Sequence, residues 1–529
     1  MNMEMGPLSL VGVAPFAILI LVLYSIIRYY GIFILETTIH HALNMFNPGT
    51  VLGGRTAPGP KWQFPNGHII DKFMYGRIRS DEWRSKYGSV YRIWAGPHPE
   101  IVITTPELLR NFHSDGETHG KPKYSNLGWY LGQVLGSCIG LLEGDDWKQG
   151  RKLFDPPFTH SATTSRIDIT DSTAKEFVDN LPSMVANVPD GDASSTAREK
   201  SDNTKTLSFP IVPAFQKYPF FLAASVIYGR MTRDEEHMLW TMAEKRLGLT
   251  PYLFIGGPYR YKSGSWVDRK AFGLLNDFRD QWIQYNKEIV QDRRLRGVKA
   301  PILSYWDAYE AGSINLENLM HTLDEMLMTN LDVTTHVVTW LITLVADNAE
   351  VKKELIEEIR DNLNDLHRYL AKSDSHLHRC FQEALRVRPP LIFSAGESAS
   401  SVKNFDGILV KPGTMVLADV LAINVRNPFW GKDAESFNPS RFKTIRPSDL
   451  RYNLIAFGFN GRKCPGQYLG AQMSKALLAH LLLQYDVQTI KGRQGQSDYK
   501  TDESTWVPMA DVTIQLTRRS LQPTSTEEI

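Results

Sequence analysis

The sequence predicts a mainly α-helical protein with a small β part, preceded by a single amino-terminal transmembrane helix. Three observations carry this expectation: an uncharged run from Leu8 to Ile27, long helical patterns at Ile314–Asn348 and from about Gln467 to Gln484, and strand-like pieces confined to two places. No alternating βαβ pattern runs through the chain. Its 529 residues, 42% of them hydrophobic, can bury a large core. Lys plus Arg number 59 against 58 Asp plus Glu, so no global charge field favours nucleic acid, and none is expected as a partner.

The run Leu8–Ile27 is about 20 residues long, enough to cross the hydrocarbon core of a bilayer as a helix. Pro15 is tolerable in a membrane helix, and Tyr24, Tyr29 and Tyr30 beside Arg28 suit an interfacial belt. Only Glu4 precedes the run, whereas Arg28, Arg55 and Lys61 follow it, which orients the bulk of the chain to the cytoplasm. A basic leader and a small-residue cleavage site are missing, which argues against a cleaved signal peptide. The expected division is an anchor over residues 1–35, a linker with a proline-rich hinge over 36–67, and a globular domain over 68–529, in a single-pass membrane protein; the family resemblance described below implies that the globule is catalytic and that the membrane is the endoplasmic reticulum. In the hinge, Pro58, Pro60 and Pro65 fix φ and resist both helix and sheet.

Within the globule, Val90–Trp94 and Glu100–Thr104 read as a strand pair joined tightly, and alternating short apolar pieces between Ser394 and Val416 read as a minor sheet. The stretch from Met184 to Ser208 is polar and predicts a mobile surface loop. From Ile314 to Asn348 there is neither Gly nor Pro, and apolar residues occupy nearly all sides. A continuous helix there would be roughly 50 Å long and form the central core element.

Chemistry concentrates at Phe457-Gly-Phe-Asn-Gly-Arg-Lys-Cys-Pro-Gly466. The chain has three cysteines, Cys138, Cys380 and Cys464, too few and too scattered for a disulfide framework. Cys464 alone sits just before a long helix, where backbone N–H groups favour an anion, and Arg462 adds positive charge. Such surroundings are expected to lower a thiol pKa and suit a thiolate ligand to a soft or redox-active metal. No second Cys or His lies at zinc-ligand spacing, which argues against structural zinc.

Phe457, Arg462, Cys464 and Gly466 match in register the haem loop of the cytochrome P-450 family, which the sequence strongly resembles. Asn460 stands where that family has Gly. Asn enters left-handed conformations at modest cost, so the hairpin is expected to survive. Glu383-Ala-Leu-Arg386 is similar to the family's Glu-x-x-Arg helix, and Arg441 in Pro439-Ser-Arg-Phe442 would complete a buried Glu383–Arg386–Arg441 network. Trp147 and Arg151 resemble the Trp-x-x-x-Arg pair that contacts a haem propionate. Taken singly, these would be ordinary packing or surface pairs; their order relative to Cys464 gives them weight. Arg388, before Pro389-Pro390, reads as a loop anchor.

The family's central helix carries an acid followed by threonine, which serves oxygen activation. Counting back from Trp340 and Asn348-Ala-Glu-Val351 places Asp332 at the acid, Val333 at the first threonine and Thr334 at the second. A shift by one residue would make Thr334-Thr335 the pair and put Val333 at the acid. In either register one polar partner is replaced, and Asp332 with Thr334 is the expected proton route. Threonines that only bond back to preceding carbonyls are the alternative.

The resemblance implies haem b as cofactor, with Cys464 as axial ligand to the iron. It also implies monooxygenation of a lipophilic small molecule with O2 and electrons from an NADPH-dependent cytochrome reductase, in the style of fungal secondary metabolism. A haem-thiolate isomerase, dehydratase or oxidative coupler is the rival reading, and a non-enzymatic haem-binding or tethering protein is the third. The pocket would be lined from the loop between Gly116 and Leu142, where Trp129, Tyr130 and Leu131 form either a mobile lid or core, from Met326 and Asn330, and from Leu391 to Ser394. Lys148, Lys152, Lys463 and Lys475 would form a basic docking face for the reductase.

Overall fold

The computed structural model describes residues 10–51, 55–116, 119–121, 128–185, 206–490, 500–502 and 506–519. Helices dominate, and the central one does not run unbroken. It starts at Leu316, where the Asn315 side chain accepts a hydrogen bond from Asn318 N–H at 2.7 Å and caps the first turn. After Asp324 it widens into a π-helical segment, Glu325–Thr329, and resumes as an α-helix over Asn330–Asp347. That second half is buried almost all round, from Leu331 to Val345, as its apolar pattern required.

The helix Gln467–Gln484 leaves Gly466 and is likewise enclosed, with Leu469, Met473, Leu477, Leu478, Leu481 and Leu482 in the core. It packs on Ile167–Val185, on the central helix and on His376–Val387. The last of these begins at a Ser375 cap and ends just before Pro389-Pro390, which disfavour helix in the residue they follow.

The predicted strand pair forms over Val90–Ala95 and His98–Ile103, antiparallel, with Gly96 at φ +57° in the turn. His98–Ile103 then pairs in parallel with Met415–Ala418, which pairs with Glu397–Ser398, giving a four-stranded sheet. Lys403–Phe405 and Ile408–Val410 form the hairpin beside it. A three-stranded sheet, Thr206–Pro210, Thr513–Arg518 and Tyr485–Ile490, closes the other end of the core. The polar stretch expected to be a loop lies, over 186–205, outside the described residues, and its last residues enter strand Thr206–Pro210.

A 37-residue helix, Leu10–Phe46, opens the described chain. Among the described residues no helix is long and apolar enough to cross a membrane, so the predicted transmembrane span has no support in the fold. Much of that run falls outside what is described: residues 8 and 9 altogether, and the side chains of 10–18. The helix also continues past residue 35, the predicted end of the anchor, because its last turns dock on the hinge. Glu36 accepts from Phe64 N–H at 3.0 Å, His40 Nδ1 accepts from Trp62 N–H at 3.2 Å, and Arg92 donates to the Asn44 side chain.

Candidate active site

The loop around Cys464 is a closed hairpin. Cys464 N–H donates to the Phe457 carbonyl at 2.8 Å, and residues Asn460–Arg462 make a single 3-10 turn. Two positions in it have positive φ: Gly458 at +78° and Asn460 at +48°. Asn460 therefore adopts the left-handed conformation in which a Cβ is costly and Asn is among the better tolerated residues. Phe457 stacks on Phe381, with ring centroids 6.4 Å apart, tying the loop to the His376–Val387 helix.

Cys464 is solvent-accessible, yet its thiol pKa is raised. Burial is the main cause; the Gly466 N–H and Arg151 oppose it, and Glu325 adds to it. This corrects the expectation of a lowered pKa. Arg462 does not act on the sulfur: its guanidinium turns to the His119 and Leu142 carbonyls, at 3.1 and 2.8 Å, and lies 4.5 Å over the Trp147 ring. A thiol that is accessible but poorly solvated lines an internal cleft. Gly466 approaches it closely, since a Cβ there would lie 3.7 Å from the sulfur.

Trp147 and Arg151 share the helix Gly144–Phe154, and the structure brings both to this loop. Arg151 donates to the Lys463 carbonyl at 3.0 Å and pairs with Asp155 at 2.6 Å. Lys121, a residue no motif pointed to, is buried nearby and donates to the Gly396 carbonyl at 2.6 Å; burial lowers its pKa. Among the described residues neither Lys121 nor Arg462 has an ion-pair partner. Two sheltered cations satisfied only by carbonyls fit a cofactor that brings its own carboxylates, as haem propionates do.

Glu383, Arg386 and Arg441 also come together. Arg386 grips the Glu383 carboxylate with two bonds of 2.7 Å, and Arg441 Nε adds one of 2.9 Å. Glu383 and Arg386 are fully buried. The spare guanidinium donors reach the carbonyls of Asn424, Ala434 and Ser436, and Glu383 also accepts from Asn438 N–H. The network thus fixes the segment that leads into the Cys464 loop. Arg388 lies over Trp340, at 4.9 Å.

Along the central helix, Glu325, Met326, Thr329, Asn330 and Val333 form one half-buried stripe, whereas Asp332, Thr334 and Thr335 are buried. Thr334 donates to the Asn330 carbonyl at 2.9 Å and Thr335 to the Leu331 carbonyl at 2.7 Å, so both hydroxyls back-bond within the helix. Val333, not a threonine, takes the more open face. Trp129 stacks on Phe272 at 5.4 Å and Tyr130 donates to the Ala271 carbonyl at 2.8 Å, so these aromatics are core and no lid. Ser394 pairs with Ala418 through both its backbone and its hydroxyl.

Two further features escaped the sequence. Lys475 is buried, not part of a docking face: it donates to the Leu370 and Lys372 carbonyls at the end of helix Leu366–Ala371, and burial lowers its pKa to about 8. His119 lies between Asp115, at 3.1 Å, and Glu397, at 3.5 Å, with His113 beside it. Neither histidine follows a recognisable spacing. An acid pair within a buried stretch of the central helix, Asp324-Glu325, was a readable signal for buried charge.

A hairpin loop that presents a cysteine, a buried Glu-Arg-Arg network and two cations held only by carbonyls, on one helical core, define a haem-thiolate protein. The cytochrome P-450 family profile matches residues 58–516, and the chain belongs to that family. It is 34% identical to the cytochrome P-450 monooxygenase hasH of Aspergillus fumigatus, over 88% of this chain and 86% of that protein. It is 33% identical to the monooxygenase sirC of Leptosphaeria maculans, over 88% of each, and 30% identical to verC of Clonostachys rogersoniana, over 92% of this chain and 93% of that one. The chain is an oxidoreductase whose cofactor is haem b, and enzymes of its kind use O2, a small-molecule substrate and a redox partner.

Proposed function

We propose that the protein is a haem-thiolate monooxygenase that oxidises a lipophilic small molecule in fungal secondary metabolism, with electrons from an NADPH-dependent reductase. The observation that carries this reading is the closed loop that presents an accessible Cys464 beside two unpaired cations. Haem bound there supplies thiolate-supported O2 activation. Cys464 would bind its iron through sulfur, and Gly466 N–H would steady that sulfur. Arg462, Lys121, Trp147 and Arg151 would hold the propionates. Glu383, Arg386 and Arg441 keep the loop in place, and Phe457 braces it against Phe381.

Asp332 is the proton source on the facing helix. Thr334 gives its own proton to the Asn330 carbonyl, so it serves by accepting a hydrogen bond rather than by donating one. Val333 closes the usual hydroxyl route. That substitution gives the rival reading, isomerisation, dehydration or oxidative coupling, a specific observation in its favour.

The amino-terminal helix is proposed to associate with the endoplasmic reticulum membrane, leaving the catalytic part in the cytoplasm. Supporting this are the uncharged run and the exposure of Leu19, Leu21, Val22, Ile26 and Phe33. Lys148, Lys152 and Lys463, all exposed on the thiolate side, would receive the reductase.

The test is reconstitution of the full chain with a reductase and NADPH under oxygen-18. Label in the product supports monooxygenation, and turnover without label supports the rival. Cys464→Ala is expected to abolish the carbon monoxide difference band of a thiolate-ligated ferrous haem, and a retained band would refute the ligand assignment. Loss of membrane pelleting on deletion of residues 1–35 tests the anchor.

A further inference from the structure

Between three helices lies a cavity of about 400 Å3, a size at which proteins bind small molecules. Its walls come from Trp129–Leu135, from Arg269–Leu295 and from Leu316–Asp324, the first turns of the central helix. It shares no lining residue with the Cys464 loop, with the two carbonyl-bound cations or with the half-buried stripe of the central helix. Packed interiors keep few voids larger than a water molecule, so a space of this size needs a physical cause. Hydrogen bonds supply it by fixing the walls. Trp282 Nε1 donates to the Met320 carbonyl at 3.1 Å and pins the two longer walls to each other. His321 Nε2 donates to the Gln133 carbonyl at 2.8 Å and its Nδ1 accepts from Ser137 N–H at 3.0 Å, which fastens the third.

Val134, Phe278, Trp282, Ile283, Leu316 and Met320 make the body of the cavity apolar. Its polar groups are unequally satisfied. Asp324 is answered by Arg246, at 2.9 Å. His321 is neutral, because one ring nitrogen donates and the other accepts. Glu317 is exposed, so water screens its charge. Arg279 is half-buried, and among the described residues it has no ion-pair partner. Its guanidinium donates to Gln133 Oε1 at 3.2 Å, which orients the Gln133 amide and leaves its NH2 to donate. The remaining guanidinium N–H groups and that NH2 have no acceptor among the described residues.

We infer that this cavity is a ligand site distinct from that of Cys464, and that it takes an amphipathic organic anion. The carboxylate of such a molecule lies against Arg279 and Gln133, and its apolar chain or ring lies along Phe278, Trp282 and Met320. A guanidinium beside an amide NH2 presents the donors that a carboxylate accepts. A cation would meet Arg279 and find an unpaired acid only at the exposed Glu317, and a neutral lipid would leave the donors unanswered. The inference does not depend on the haem-thiolate reading, since none of its residues belongs to that site.

The experiment is photolabelling of the full-chain holoprotein with a trace of dodecanoate that carries a diazirine in its chain, the labelled peptides being mapped by mass spectrometry. Label is expected on residues 278–283 and 316–324. Unlabelled dodecanoate should suppress it at a concentration about tenfold lower than dodecanol needs, and dodecylammonium should compete no better than dodecanol. Arg279→Gln, which keeps a donor for Gln133, should raise the dodecanoate concentration required about tenfold and leave that for dodecanol unchanged. Ile283→Trp, which fills the cavity, should abolish label in both peptides while the thiolate carbon monoxide band is retained. Absence of label from both peptides in the wild type overturns the inference, and so does dodecanol competing as well as dodecanoate. An Arg279→Gln protein that keeps the wild-type competition overturns the choice of an anion in the same way.

Discussion

On the Cys464 side, the supporting groups are tied down: Glu383 takes bonds of 2.7, 2.7 and 2.9 Å from two guanidiniums, and Cys464 N–H closes its own hairpin at 2.8 Å. On the opposite side, the central helix departs from α geometry over Glu325–Thr329, and its threonine hydroxyls turn back onto their own carbonyls. The difference follows from the two tasks. Holding a metal needs one fixed geometry, and a saturated buried network supplies it. Accommodating a substrate and passing protons to it tolerates variation, and a π-helical segment is where helices accept it.

The comparison breaks most sharply at Glu383. Glu383→Ala leaves Arg386 and Arg441 facing each other without their carboxylate, at a cost of about 3–5 kcal/mol. Denaturant unfolding should show that loss, together with poor haem retention. A variant within about 1 kcal/mol of wild type would mean that the network is dispensable and the rigidity of this side lies elsewhere.

On the helix side, Asp332→Asn should leave stability and the carbon monoxide band nearly intact while product formation falls by about a hundredfold, in the range of general acid catalysis. Hydrogen peroxide released per NADPH should rise. Unchanged product and peroxide would sink Asp332 as the proton source. Val333→Thr, which places a hydroxyl on the open face, should act in the opposite sense and raise coupling severalfold; a fall would show that Val333 is needed for substrate fit instead.

The same division decides how much could be read from the sequence. The Cys464 side was legible because its parts are unusual residues at fixed spacings: Phe457, Arg462, Cys464 and Gly466 in one loop, Glu383 and Arg386 one helical turn apart, Arg441 in its own short element. Even Asn460 was predictable, since a left-handed residue must be Gly or one of its few substitutes. The central helix was legible as a helix but not in its local geometry. A π-helical segment carries no side-chain signature, and a 3.6-residue period cannot show that the ladder slips at Glu325. Tertiary burial was equally hidden. Lys475 resembled a surface lysine until the helix it sits on proved enclosed on all sides, and Arg462 resembled a charge for the thiol until it turned to the carbonyls of His119 and Leu142. The anchor is a different case, because the apolar run lies largely where side chains are not described.

A smaller effect is expected in the hairpin itself. Asn460→Ala puts a Cβ without a compensating polar side chain at φ +48°, costing about 1 kcal/mol, while Asn460→Gly should be neutral or slightly stabilising. Equal stability of the two variants would show that the turn does not depend on its left-handed residue.

The least of the effects lies at the edge between the two sides, where His119 meets Glu397. Burial alone would lower the His119 pKa, but the carboxylates of Glu397 and Asp115 beside it outweigh that and raise it above 6.5. Burial alone would raise Glu397, and the pairing with His119 together with the charge of Lys121 outweighs that and lowers it below 4.5. A raised histidine stabilises the fold fully below its unfolded pKa and loses that contribution as pH climbs through its folded value. A lowered glutamate stabilises above its unfolded pKa and loses its share as pH falls through its folded value. Both contributions are therefore complete only between about pH 4.5 and 6.5. Glu397→Gln should cost most stability in that window and progressively less as pH rises through the folded-state pKa of His119, which deprotonates there in the wild type. Denaturation midpoints of the two proteins across this range should converge at the alkaline end; a constant gap would mean that Glu397 acts through packing and not through the charge of His119.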